Sequence, residues 1–120
     1  MNEKYLKSNK QEKRITRSFQ QIKEEAKKTM ASGALWIQKS DVITKQFRVE
    51  AKTKMKPSDS MTLKKEWFDK IGREAFESGK IGLVVFSFGD NDDIVGIKFN
   101  DFLALVEELN TLREKCNEKD

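Results

Sequence analysis

The chain has 120 residues, 24 of them Lys or Arg and 20 Asp or Glu, with one cysteine and no histidine. The missing histidine excludes Ser-His-Asp and Cys-His hydrolases, zinc-binding histidine pairs and histidine–metal nucleases, and a single cysteine excludes an internal disulfide. No apolar run approaches the ~20 residues of a membrane span, and the charged N-terminus lacks the apolar stretch of a signal peptide.

The expectation is one α/β domain over residues 1–120, soluble and cytoplasmic, with flexible ends at 1–8 and 116–120. Any chemistry falls to carboxylates and lysines, and carboxylates favour hard cations such as Mg²⁺ or Mn²⁺. The formal charge of +4 is unevenly spread. Residues 1–30 carry nine Lys/Arg against four Asp/Glu, residues 39–80 eleven against seven, and residues 81–120 four against nine. A basic first two-thirds and an acidic remainder suit a molecule with one face toward a polyanion.

In chain order, Asn9 to Met30 reads as a helix, because Ile15, Phe19, Ile22, Ala26 and Met30 recur at spacings of three and four. Ser32-Gly33 stops it. Strands are predicted at Ala34–Ile37, Asp41–Thr44 and Phe47–Thr53, the last alternating Phe47, Val49 and Ala51 with Arg48, Glu50 and Lys52. A polar connection holding Pro57 leads to a second helix, Thr62 to Ser78, with Leu63, Trp67, Phe68, Ile71 and Ala75 inward and Gly79 at its end. Gly82–Phe88 is a continuous apolar run suited to a strand buried on both faces. Residues 89–93 form a turn, since as a calcium loop they lack the sixth-position glycine and twelfth-position glutamate. Ile94–Phe99 returns as a strand, and an amphipathic helix from Asn100 or Asp101 to Lys115 carries Phe102, Val106, Leu109 and Leu112. The order α-β-β-β-α-β-β-α implies one mixed sheet of about five strands flanked by helices. Trp36 and Trp67 read as core, and Cys116 as an incidental surface thiol.

Strand alternation sets Glu50 and Lys52 on one side of their strand, roughly 6.5–7 Å apart along it. A hairpin around Lys45-Gln46 returns Asp41 beside Glu50. Two carboxylates with one lysine are what phosphodiester hydrolysis without histidine requires. The carboxylates hold a divalent cation that lowers the pKa of a bound water, and the lysine stabilises charge on the phosphate or orients that water. Glu12 extends the inward stripe of Ile15, Phe19 and Ile22, a costly place for a carboxylate unless it is paired or binds a cation.

The order of these parts resembles the PD-(D/E)XK nuclease superfamily: Glu12 on a helix, Lys39-Ser40-Asp41, Glu50-Ala51-Lys52, then a helix opening Thr62-Leu63-Lys64-Lys65. Within it the chain is most similar to the small Holliday junction resolvase-like endonucleases of phages and archaea, through Glu12-Lys13-Arg14-Ile15, Ser32-Gly33-Ala34, Trp67-Phe68-Asp69-Lys70-Ile71 and Glu74-Ala75. Ser40 departs from the proline or glycine that often precedes the aspartate. The resemblance implies a restriction-endonuclease-like fold and a Mg²⁺- or Mn²⁺-dependent endonuclease acting on branched or four-way DNA as a homodimer. Its location would be the host cytoplasm if the chain is phage-encoded. Asp41, Glu50, the Ala51 carbonyl and Glu12 would hold the metal, with Lys52 catalytic. Lys39, Lys54, Lys56, Lys64, Lys65 and Arg14 are the expected DNA contacts. The rivals are a same-fold nuclease for nicked, flapped or single-stranded DNA, and a non-catalytic DNA-binding protein.

Overall fold

The computed structural model describes residues 3–29 and 40–118. The predicted strand at 34–37, the Ser32-Gly33 stop, Met30, Trp36 and Lys39 lie outside the described residues. Helix α1 spans Glu3–Gln21, so it starts in the stretch expected to fray and ends well before Met30. The early end has a backbone cause. Lys23 takes a left-handed φ of 66°, its N–H donating to the Gln20 carbonyl (3.1 Å) and the Glu24 N–H to the Phe19 carbonyl (3.0 Å). These bonds satisfy the last carbonyls of the helix and turn the chain out of it. Ala26–Lys28, expected within the helix, forms strand β1.

Strands β2 (Val42–Thr44) and β3 (Phe47–Thr53) form the predicted hairpin, with Val42 opposite Val49 and Ile43 opposite Arg48. Thr44 Oγ1 closes it, accepting from the Phe47 N–H (2.8 Å) and donating to Glu24 Oε2 (2.7 Å). Helix α2 runs Lys65–Glu77, starting three residues later than expected. It ends at Gly79, whose φ of 67° places it in the left-handed region. Strands β4 (Ile81–Ser87) and β5 (Asp93–Ile97) join through the turn at 89–93, and helix α3 follows at Phe99–Glu118. The sheet order is β1-β2-β3-β4-β5, with β3 and β4 parallel and every other pair antiparallel. The predicted class and element order are borne out. Among the described residues no helix is long and apolar enough to cross a membrane.

Two cores sandwich the sheet. On the α1 face Ile15 packs with Val42, Val49, Leu83 and Val85; on the α2 face Ile71 packs with Val84 and Phe86. Odd and even residues of β4 thus serve opposite cores, as the continuous apolar run required. Each fully buried aliphatic side chain contributes about 1.5–3 kcal/mol. Two glycines let α2 sit close to the sheet: a Cβ on Gly82 would stand 2.9 Å from the Ile71 carbonyl oxygen, and one on Gly96 would stand 2.9 Å from the Phe68 ring. Helix α3 does not join this packing: none of its residues is buried, and it lies along no other described element.

Candidate active site

The pleat of β3 separates its two chemistries. Phe47, Val49 and Ala51 join the α1-side core, while Glu50 and Lys52 meet α2. Glu50 is only 9% exposed. Its Oε1 lies 3.7 Å from Lys52 Nζ and its Oε2 lies 3.9 Å from Lys70 Nζ on α2. These separations compensate charge without making hydrogen bonds, and the buried Oε2 accepts none. Lys52 Nζ also sits 4.8 Å from the centre of the Trp67 ring, an arrangement that holds an ammonium in place.

Asp41 lies just before β2, where the ladder loosens. Its N–H donates to the Val49 carbonyl at 2.9 Å, and its Oδ2 accepts from the Ala51 N–H at 2.8 Å. The carboxylate thus reaches β3 between Glu50 and Lys52. Burial pushes the Asp41 carboxyl above its ordinary range, opposed by the Ala51 N–H and by Lys52 and Lys70. Glu50 is pushed up to about 7, first by burial and then by Asp41, against the pull of Lys70 and Lys52. Two acids that resist ionising together retain a proton until an opposite charge replaces it.

Glu12 reaches this region from α1. Its carboxyl is also raised to about 7, by burial and by Asp41 and Glu50, with Lys28 opposing. Glu12 stands within electrostatic reach of the pair, yet among the described residues no three acidic groups close around a single point. The donor set suits a hard divalent cation. Asp41 and Glu50 are adjacent carboxyls held short of full ionisation, and Glu50 Oε2, with Lys70 Nζ 3.9 Å away, accepts no hydrogen bond.

Three contributors were missed from the sequence. Lys70 and Glu74 lie three and seven residues beyond Trp67 beside the inward Ile71 and Ala75, and of the two only Glu74 is buried, while the exposed Lys70 reaches Glu50 with its ammonium. Ser40 Oγ donates to Glu74 Oε1 at 3.1 Å, and Arg48 Nη1 donates to Ser40 Oγ at 3.4 Å. Gln11, only 1% exposed, precedes Ile15 and Phe19 at steps of four. Its Nε2 donates to the carbonyls of Lys52 (2.9 Å) and Val85 (3.3 Å) and to Asp93 Oδ1 (3.3 Å).

The expected DNA contacts are dispersed. Lys56, Lys64 and Lys65 are exposed and Lys54 is half-buried, while Lys65 pairs with Asp69 at 2.9 Å. Arg14 is engaged internally, donating through Nε and Nη2 to the two Asp93 oxygens at 2.6 and 2.8 Å. A phosphate would compete with that pair. Lys10, Lys13 and Arg17 line an open groove of about 490 Å³ along α1 beside Asn91. Comparison with protein-family models, curated proteins and solved structures finds no match.

Proposed function

We propose that the chain is a Mg²⁺- or Mn²⁺-dependent DNA endonuclease of the PD-(D/E)XK kind, acting on branched DNA. The observation that carries this reading is the meeting of Asp41 and Glu50, two carboxyls both raised by burial and the second raised further by the first, with Lys52 beside them. Ion pairing for stability alone explains this poorly, because the geometry leaves Glu50 Oε2 unbonded. The branched substrate and the PD-(D/E)XK assignment follow from the resemblance in motif order.

Asp41 and Glu50 would hold the cation, joined by the Ala51 carbonyl, and Glu12 would complete the site by a small shift of α1. A bound Mg²⁺ or Mn²⁺ supplies Lewis-acid polarisation of the phosphate and a water of lowered pKa. Lys52 places a compact positive charge near the scissile phosphate, where it offsets developing negative charge. Trp67 holds that ammonium in place, and Gln11 fixes the Lys52 backbone from the other face. Exposed Lys56 and Lys64, with the basic groove on α1, would bind flanking phosphates without reading sequence.

The test is cleavage of a labelled panel (four-way junction, flap, nick, linear duplex and single strand) in Mg²⁺, Mn²⁺ and Ca²⁺. Junction cutting in Mg²⁺ or Mn²⁺ that is lost in Asp41→Asn supports the proposal. Binding without cleavage in either metal overturns it in favour of a DNA-binding module.

A further inference from the structure

Helix α3 begins beside α2, where Lys98 Nζ pairs with Asp69 at 3.1 Å, and runs 20 residues, about 30 Å. Phe99, Phe102, Leu103, Leu109 and Leu112 are between 44% and 70% exposed. A helix that keeps so much apolar surface in water, with no described element against it, has its packing partner elsewhere.

The spacing of that surface identifies the partner. Phe102, the half-buried Leu105, Leu109, Leu112 and Cys116 follow one another at three, four, three and four residues, the alternation that keeps a seam between two supercoiled helices. Glu108 and Arg113 lie on opposite flanks of the seam. In a parallel pair each flank faces the opposite flank of the other helix five residues on, so Glu108 meets Arg113 of the second helix twice by symmetry. The antiparallel arrangement that keeps both Phe102 rings in the seam sets Glu108 against Glu108. We infer that α3 is a self-association helix, pairing in parallel with α3 of a second copy of this chain.

The pairing places two copies of the site on one side of the joint, which supplies the second active site that symmetric junction cutting requires. It is inferred from α3 alone, so its failure would leave the metal site and cleavage of unbranched DNA standing. The seam spans little more than two heptads, and isolated helices of such length are marginal, so the expected dimer is reversible and forms at micromolar concentration.

The experiment is sedimentation velocity on the full chain from about 1 to 100 µM, alongside mild oxidation of Cys116, which is exposed and in the parallel pair faces its counterpart. The expected result is a concentration-dependent dimer that cross-links through Cys116. Leu109→Asp should be monomeric across the range, with an unchanged near-ultraviolet circular dichroism spectrum, which reports tertiary packing around the aromatic side chains, and cross-linking slowed at least tenfold. Glu108→Arg should weaken the dimer, and adding Arg113→Glu should restore it. A wild-type chain that stays monomeric at 100 µM overturns the inference. So does a dimer that resists Leu109→Asp or that forms without cross-linking.

Discussion

The two faces of β3 place residues one position apart in opposite environments. Toward α1, Val49 is fully buried in a dry core with Val42, Leu83 and Val85. Toward α2, Arg48 Nε, Glu50 Oε2 and Glu74 Oε2 are buried without hydrogen-bond partners, whereas on the α1 side Gln11 Oε1 is the one such atom among the described residues. Such atoms cost on the order of 1–3 kcal/mol each, so the α2 face gives up stability that the α1 face supplies. The difference teaches where to look for chemistry, because a fold keeps unsatisfied charge only where something else uses it.

The largest effect expected from breaking this contrast is at the carboxyls. Asp41→Asn and Glu50→Gln should each lower single-turnover junction cleavage by two or more orders of magnitude, roughly 3 kcal/mol or more of transition-state stabilisation, with gel-shift binding in Ca²⁺ retained. Lys52→Met should fold, bind metal and bind DNA yet lose a similar factor, and Lys52→Arg should not rescue it because a planar fork does not replace a compact ammonium. Cleavage at the wild-type rate would remove the lysine from the mechanism.

On the dry face the effect should be structural. Val49→Ala should cost about 1–3 kcal/mol in urea denaturation while leaving cleavage per folded molecule unchanged.

The wet face should also reveal itself through pH. The fold holds Glu50 and Glu12 up at about 7 against an ordinary 4.5, so between those values the native state binds more protons than the unfolded chain. Stability without metal should therefore fall as pH rises from about 4.5 to about 7 and level off above, by on the order of 2 kcal/mol. Mg²⁺ should restore more of the melting temperature at pH 8 than at pH 6, and Glu50→Gln should flatten the profile. A metal-free melting temperature that rises steadily from pH 5 to 8 would contradict the burial of these carboxyls.

The smallest effect concerns the two helix ends, which use the same hydrogen bonds with different residues. α2 turns at Gly79, and the Lys80 N–H reaches the Ala75 carbonyl at 2.8 Å. α1 turns at Lys23, whose left-handed φ of 66° costs about 1 kcal/mol more than in glycine. Lys23→Gly should raise stability by up to about 1 kcal/mol, read as a shift in denaturation midpoint.

That pair of ends also shows what was legible in the sequence. Gly79 announced its turn, whereas Lys23 did not, so the apolar spacing through Ala26 read as continued helix and β1 went unrecognised. β3 was readable to the residue because its alternation is strict, and the Lys45-Gln46 turn returned Asp41 to the side of Glu50. Lys70 and Glu74 entered the sequence reading only as part of the motif resemblance, although Glu74, three residues beyond Ile71, falls on the inward stripe of α2. For α3, amphipathicity revealed an apolar stripe but not which surface it meets, since a helix packed on its own sheet and one packed on another molecule share the same period.

One amide has a mechanical consequence. Gln11 joins α1 to the Lys52 carbonyl, to Val85 in β4 and to Asp93 in β5, and Glu12 is its neighbour. Lifting α1 off the sheet would break those three bonds and withdraw Glu12 in one motion, so helix and reactive strand form a single opening unit. Amide hydrogen exchange should report that unit directly: protection along Gln11–Phe19 and along Glu50–Thr53 should decay with one common free energy, and Gln11→Ala should lower it for both segments together.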